Sequence, residues 1–165
     1  MATVLALRDV LLDSAKEIFE SMIFMTVAEV EDATPDDAEA MLLATITFTG
    51  SLEGGLTICC PLITAQAVAA SMLCMDSPDE LGDEDTIDAI GEVANLLMGA
   101  VKTRLQDDIP GLSISIPSVV QGRQLSSRLS DGTEKIDVDV ALADEHRATF
   151  SLLYREGGVI SGDGA

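Results

Sequence analysis

Apolar residues in the first part of the chain recur at helical spacing. Leu11, Ala15, Ile18, Phe19, Met22 and Ile23 fall on one side of a helix over 7–25, and Asp13, Lys16, Glu17 and Glu20 fall on the other. The stretch 30–39, with Thr34-Pro35-Asp36-Asp37, carries breakers and charge without a period and reads as a loop. β-Branched residues then crowd 41–49, Gly50-Ser51 turns the chain, and 56–60 resumes an apolar run, a pattern that predicts a hairpin. Gly54 and Gly55 lack the Lys and Ser/Thr of a phosphate-binding loop and read as strand-edge or bulge glycines. Pro61 opens a second helix through Ala65, Val68, Ala69 and Met72. Ser77-Pro78-Asp79-Glu80 has the order of an N-cap, a first-turn proline and a reciprocal glutamate, which predicts a short helical turn before Gly82.

The longest helix is predicted over 83–106. It starts with acids that suit the positive end of the helix dipole and stops before Pro110-Gly111. Strands follow over 112–120, 136–141 and 148–154, and 157–165 reads as a flexible tail. The order α-β-β-α-α-β-β-β lacks the alternation of a doubly wound parallel sheet. It predicts an α+β fold, a mostly antiparallel sheet with packed helices.

Composition narrows the partners. A chain of 165 residues, 47% hydrophobic and 23% charged, has material for one core. Its 29 acidic against 9 basic residues give a net charge of −20, which repels phosphate backbones and anionic lipid; neither nucleic acid nor a membrane is an expected partner. The opening residues are too short for a signal h-region, and the longest weakly polar run, 65–75, falls below the roughly 20 residues of a membrane span, so the expected location is cytoplasmic. Three cysteines, two of them the adjacent Cys59 and Cys60, make no disulfide framework and read as small buried hydrophobes.

The long helix divides into two faces. Ile87, Ile90, Ala94, Leu97, Met98, Val101 and Leu105 gather on a core side; Asp88, Glu92, Asn95, Gly99, Lys102 and Gln106 gather opposite. Any surface helix has a polar side, but this one contains the only asparagine of the chain and, one turn on, a glycine. Asn costs about 0.5 and Gly about 1 kcal/mol relative to Ala in a helix, so the two weaken one turn without serving the core. An exposed glycine lets another backbone approach, and a carboxamide both donates and accepts hydrogen bonds without charge. Those are properties of a docking surface with a polar probe.

From Gly91 to Thr103 the helix reads Gly-Glu-Val-Ala-Asn-Leu-Leu-Met-Gly-Ala-Val-Lys-Thr, which resembles the signature helix of the CheC/CheX/FliY phosphatases of bacterial chemotaxis, CheX most closely. The family pattern is Asp or Ser, Glu four residues on, Asn three further and Pro a little over twenty beyond; Asp88, Glu92, Asn95 and Pro117 meet it. Phe48-Thr49-Gly50, Gly54-Gly55 and the run Ser115-Ile116-Pro117-Ser118-Val119-Val120-Gln121-Gly122 extend the likeness over nearly the whole chain, as one CheX-like domain over 1–156. On the first helix Asp13, Glu17 and Glu20 keep the spacing, but glutamate stands where the pattern has asparagine, as in a single-site CheX form.

The resemblance implies hydrolysis of the aspartyl phosphate of a response-regulator receiver domain of the CheY type, in two-component signalling. Asn95 would orient the attacking water and Glu92 would pair with the receiver's lysine. Asp88, Gly99 and Lys102 would contact the receiver, although Lys102 is equally readable as a cation at the negative end of the helix dipole. Mg2+ would come with the receiver, and no cofactor is expected on this chain. Likeness to CheX also points to a homodimer. The rival is a non-catalytic module of the same fold that binds a receiver or sits in a motor-switch or sensory complex.

Other signals give way to plainer readings. Asp83, Glu84, Asp85 and Asp88 lack the Gly and Glu of a calcium loop, since Asp88 and Ala94 stand at those places. His146, the sole histidine, has no Ser, Cys or second His beside it and reads as structural or solvated. Met22, Met25, Met41, Met72, Met75 and Met98 read as core filler.

Overall fold

The computed structural model describes residues 4–31, 39–123 and 131–156. The tail over 157–165 and most of the expected loop over 30–39 lie outside these residues.

Helix α1 (Val4–Ile18) continues into a π-helical turn (Phe19–Ile23), which ends at Phe24 in the left-handed region, φ 65°. The predicted apolar side is buried at Leu11, Ala15, Ile18, Phe19 and Ile23, but Met22 is 51% exposed. A π turn takes an extra residue per hydrogen-bonded ring, so it shifts the helical phase and rotates Met22 away from the core. Strand β1 (Val27–Glu29) follows, too short to be seen as a period in the sequence. The hairpin is β2 (Met41–Thr49) with β3 (Leu52–Pro61), and α2 (Leu62–Met72) follows Pro61 directly. Ser77 Oγ accepts from Asp79 N at 3.2 Å and caps a 3-10 turn (Pro78–Glu80). The returning carboxylate belongs to the next helix: Asp85 Oδ2 accepts from Gly82 N at 3.2 Å at the start of α3 (Asp83–Leu105).

After α3 come β4 (Ser113–Ile114), β5 (Ser118–Gly122), β6 (Glu134–Leu142) and β7 (His146–Glu156). One antiparallel sheet runs β1-β6-β7-β3-β2, with β4 and β5 both paired to the far side of β2. The strand predicted over 112–120 is thus two pieces. Thr45 pairs with Ser118 and Phe48 with Ile114, so two residues of β2, Ile46 and Thr47, face three on the edge, Ser115, Ile116 and Pro117. That one extra residue is a β-bulge. Ser115 anchors it: its N donates to Thr47 O and its Oγ accepts from Thr47 N, both at 2.9 Å.

Alternation along the strands assigns the two faces of the sheet. Ile46, Phe48, Leu56, Ile58, Val138, Phe150 and Leu152 join Leu11, Phe19, Val68, Ile90, Val93, Leu97 and Val101 in one core, so the three helices pack on one side. Phe19 and Phe150 place their ring centroids 5.5 Å apart at its centre. The reverse side carries a cross-strand row of Ser118, Thr45, Thr57, Ser151 and Asp137 in register. Ser151 donates to Asp137, and Thr149 Oγ1 donates to Asp139 Oδ1 at 2.7 Å.

The glycine reading needs correction at Gly54. Like Gly55 after it, it lies inside β3, between β2 and β7, rather than at an edge or a bulge. A Cβ there would stand 1.8 Å from the carbonyl oxygen of Leu153, so the β7 backbone leaves no room for a side chain. Cysteine burial also varies. Cys60 is buried, Cys59 is half-buried, and Cys74 is exposed with φ 57° just past α2.

Candidate functional site

The buried side of α3 is broader than its periodicity suggests. Thr86, Ala89, Gly91 and Val93 join Ile90, Ala94, Leu97, Met98, Val101 and Leu105 in the interior. Along the middle of the helix only the narrow stripe of Asp88, Glu92 and Asn95 is exposed, while the acids of the first turn and Thr103, Arg104 and Gln106 at the far end are exposed too; Gly99 and Lys102 are half-exposed. Asp88 to Lys102 spans roughly 21 Å of helix, and Glu92 and Asn95 are roughly one turn apart on it. No hydrogen bond among the described residues engages the Asn95 carboxamide. A Cβ added at Gly99 would meet nothing within 4 Å, so the helix backbone is open to approach there.

Neighbouring elements fix the stripe from both sides. On one flank Arg104 Nη1 donates to Glu17 Oε1 of α1 at 2.6 Å. On the other, the edge bulge leans on the helix: a Cβ at Gly91 would lie 3.6 Å from Pro117 Cγ and 3.7 Å from Val119 Cγ2, ordinary contact distances. Pro117, the distant member of the sequence pattern, is therefore a packing residue that sets the bulge against α3. Gly91 was not singled out by sequence reasoning, because a glycine inside a helix registers only as a cost. Its spacing from Asp88 (three back) and Asn95 (four on) makes both its surface neighbours.

The counterpart positions on α1 are occupied. Glu17 is held by Arg104, and Glu20 accepts from Val27 N at 3.4 Å where the chain enters β1. Both carboxylates serve the fold.

The stripe is convex and holds no nucleophile. The concavities of about 420 Å3 lined by Thr45, Thr47, Thr57 and Arg155, and of about 530 Å3 beside Leu7, Leu52 and Tyr154, contain neither Glu92 nor Asn95. Burial pushes the Cys60 thiol up to about 12 and raises that of Cys59, so both stay protonated. His146 Nε2 sits 3.8 Å from Glu145 at the β6–β7 turn, away from any serine or cysteine partner in the described contacts. Among the described residues there is no group of three or more His, Cys, Asp or Glu arranged to hold a metal, and no helix is long and apolar enough to cross a membrane. A carboxylate and a carboxamide standing out from a rigid helix can act chemically only in a cavity that another molecule supplies.

Comparison with known proteins agrees with this geometry. Among solved structures, chemotaxis protein CheX from Vibrio vulnificus superimposes with a TM-score of 0.74 at 18% identity, covering 90% of this chain and 99% of that one. The CheX–CheY–BeF3–Mg2+ complex from Borrelia burgdorferi gives 0.66 at 22% identity, covering 90% and 97%. FliY from Thermotoga maritima gives 0.61 at 17%, covering 94% and 92%. No curated protein sequence matches the chain. The sequence profile described as chemotaxis phosphatase CheX matches residues 42–141, which is more than half of the chain and includes all of α3 and the bulge. This chain belongs to the CheX family.

Proposed function

We propose that this protein is a phosphatase that hydrolyses the aspartyl phosphate of a CheY-type receiver domain, with Asn95 and Glu92 acting inside the receiver's site. The observation that carries the reading is the outward Glu92–Asn95 pair on α3, whose counterparts on α1 are engaged within the fold. The family supports the reaction class, and the Borrelia burgdorferi complex of CheX with CheY supports the partner class.

The chemistry asks little of this chain. An acyl phosphate is an activated ester analogue, so acceleration comes from holding a water in line with phosphorus. Asn95 accepts a hydrogen bond from that water through its carbonyl oxygen, and its NH2 donates to a phosphoryl or receiver oxygen. Glu92 pairs with the receiver's lysine and fixes the register of docking. A carboxylate in place of Asn95 would be repelled by the phosphoryl group and the receiver's acids. Mg2+ belongs to the receiver, where it offsets phosphoryl charge.

The test is phosphate release from a panel of receiver domains labelled with radioactive acetyl phosphate, with and without the protein. At least one receiver should lose label faster, and Asn95→Ala should remove the effect. If no receiver responds but one is bound, the non-catalytic module is the correct reading. Full activity in Asn95→Ala overturns the assignment of the site.

A further inference from the structure

We infer that Ile116, carried outward by the edge bulge, is an apolar anchor that the receiver domain covers when it docks on α3; this rests on the phosphatase reading above. Ile116 is 87% exposed, the highest value among the large hydrophobic residues described. Isolated exposed apolar residues are common and by themselves mean nothing. Three further observations separate this one.

The first is rigidity. The bulge is tied at Ser115 by the paired bonds to Thr47, and at the other end Ser118 resumes pairing with Thr45. Pro117 fixes its own φ and restricts the backbone of Ile116 before it. A side chain presented this way loses little freedom on binding, which is what makes an anchor effective.

The second is position. Pro117 rests against Gly91, and Gly91 is the surface neighbour of both Asp88 and Asn95 on α3. Ile116 is the next residue along, so the bulge stands as a shoulder beside the stripe. Bulges at sheet edges commonly re-aim a side chain next to a functional site.

The third is charge. A chain of net charge −20 gains nothing from long-range attraction to a phosphorylated acidic pocket. Affinity for such a partner has to come from desolvated contact, and Ile116 supplies apolar area on the flank of the polar pair. A receiver is the occupant this combination fits: under the phosphatase reading its site offers Glu92 a lysine, whereas a second copy of the chain would bring the same stripe of Asp88 and Glu92 against itself.

The experiment compares wild type, Ile116→Ala and Ile116→Glu in two assays with a CheY-type receiver. One is phosphate release against receiver concentration; the other is fluorescence titration of the beryllofluoride-treated receiver. The expected result is a rise in half-saturating concentration and in Kd of roughly tenfold for Ala and more for Glu. The rate at saturation should stay within twofold and the melting temperature should not change, because the side chain lies outside the core. Asn95→Ala should show the opposite pattern, a lost rate with retained binding. If wild type and Ile116→Glu bind equally, the anchor is refuted while the phosphatase reading stands. If wild type binds but releases no phosphate, the phosphatase reading fails, and a weakened Ile116→Glu titration still supports the anchor. If Ile116→Glu changes the oligomeric mass and leaves receiver binding intact, the occupant is a second copy and the inference is overturned.

Discussion

Glu17 Oε1 accepts from Arg104 Nη1 at 2.6 Å, joining the last turn of α1 to the last turn of α3. This bond bears on whether α1 could be converted into a second centre. The substitution that restores the family pattern there, Glu20→Asn, leaves Glu17 engaged and draws the oxygen that accepts from Val27 N back by one methylene. In an Asn95→Ala background, Glu20→Asn is expected to restore no phosphate release. Recovery of even a tenth of wild-type activity would show that α1 remains competent.

At the proposed site, Asn95→Ala should lower the saturated rate by roughly a hundredfold, the scale of loss when a reacting group is no longer positioned. Asn95→Asp should impair the rate more than the binding, since the shape is kept and a repelling charge is introduced. Glu92→Ala should chiefly raise the half-saturating receiver concentration. Steady-state kinetics over receiver concentration separate the three.

Gly99 offers a variant in which stability and function move in opposite directions. A Cβ there meets nothing, so Gly99→Ala should stabilise the helix by about 0.5–1 kcal/mol. If the receiver packs on that turn, the same methyl should weaken docking. Urea denaturation read against receiver titration checks both; a variant more stable and equally tight removes Gly99 from the contact surface.

Gly54→Ala should act through the fold alone. The new methyl would collide with the Leu153 carbonyl unless β3 and β7 part, and overpacking of this kind costs about 1–3 kcal/mol. The expected outcome is a lowered urea midpoint, with residual activity proportional to the folded fraction. An unchanged midpoint would mean that the strands adjust freely.

A pH dependence follows from β1. Arg8 of α1 hydrogen-bonds Glu29, and this contact holds the Glu29 carboxyl below its ordinary range. A carboxyl depressed in the folded state adds stability that is fully present above its unfolded value, roughly 4.3, and is lost as pH falls through the folded value. Glu29→Gln should therefore lower the melting temperature at pH 7 and match wild type in strong acid. Salt should shrink the difference, because both side chains face solvent.

Much of this could be read from residues alone where the pattern is long. α3 carries over six turns of consistent period, and its limits and exposed stripe follow from it. The short β1 had too few residues to show alternation, and the phase of Met22 depended on a π turn that no local pattern marks. The bulge at Ser115–Pro117 exists only relative to the register of β2, a pairing across some seventy residues. Gly91 and Ile116 were missed for that reason. Each looks unremarkable by itself and gains its meaning from the contact of Pro117 with α3. The one available signal was the family's distant proline, which marks where the chain returns to the helix.

With all three helices on one side of the sheet, the row containing Thr45, Thr57, Ser151 and Asp137 forms the opposite broad surface. Lys135 is exposed on that surface, close to Asp137. A probe carried at Lys135 would therefore sit across the sheet from the carboxamide of Asn95 and leave it free to meet a partner.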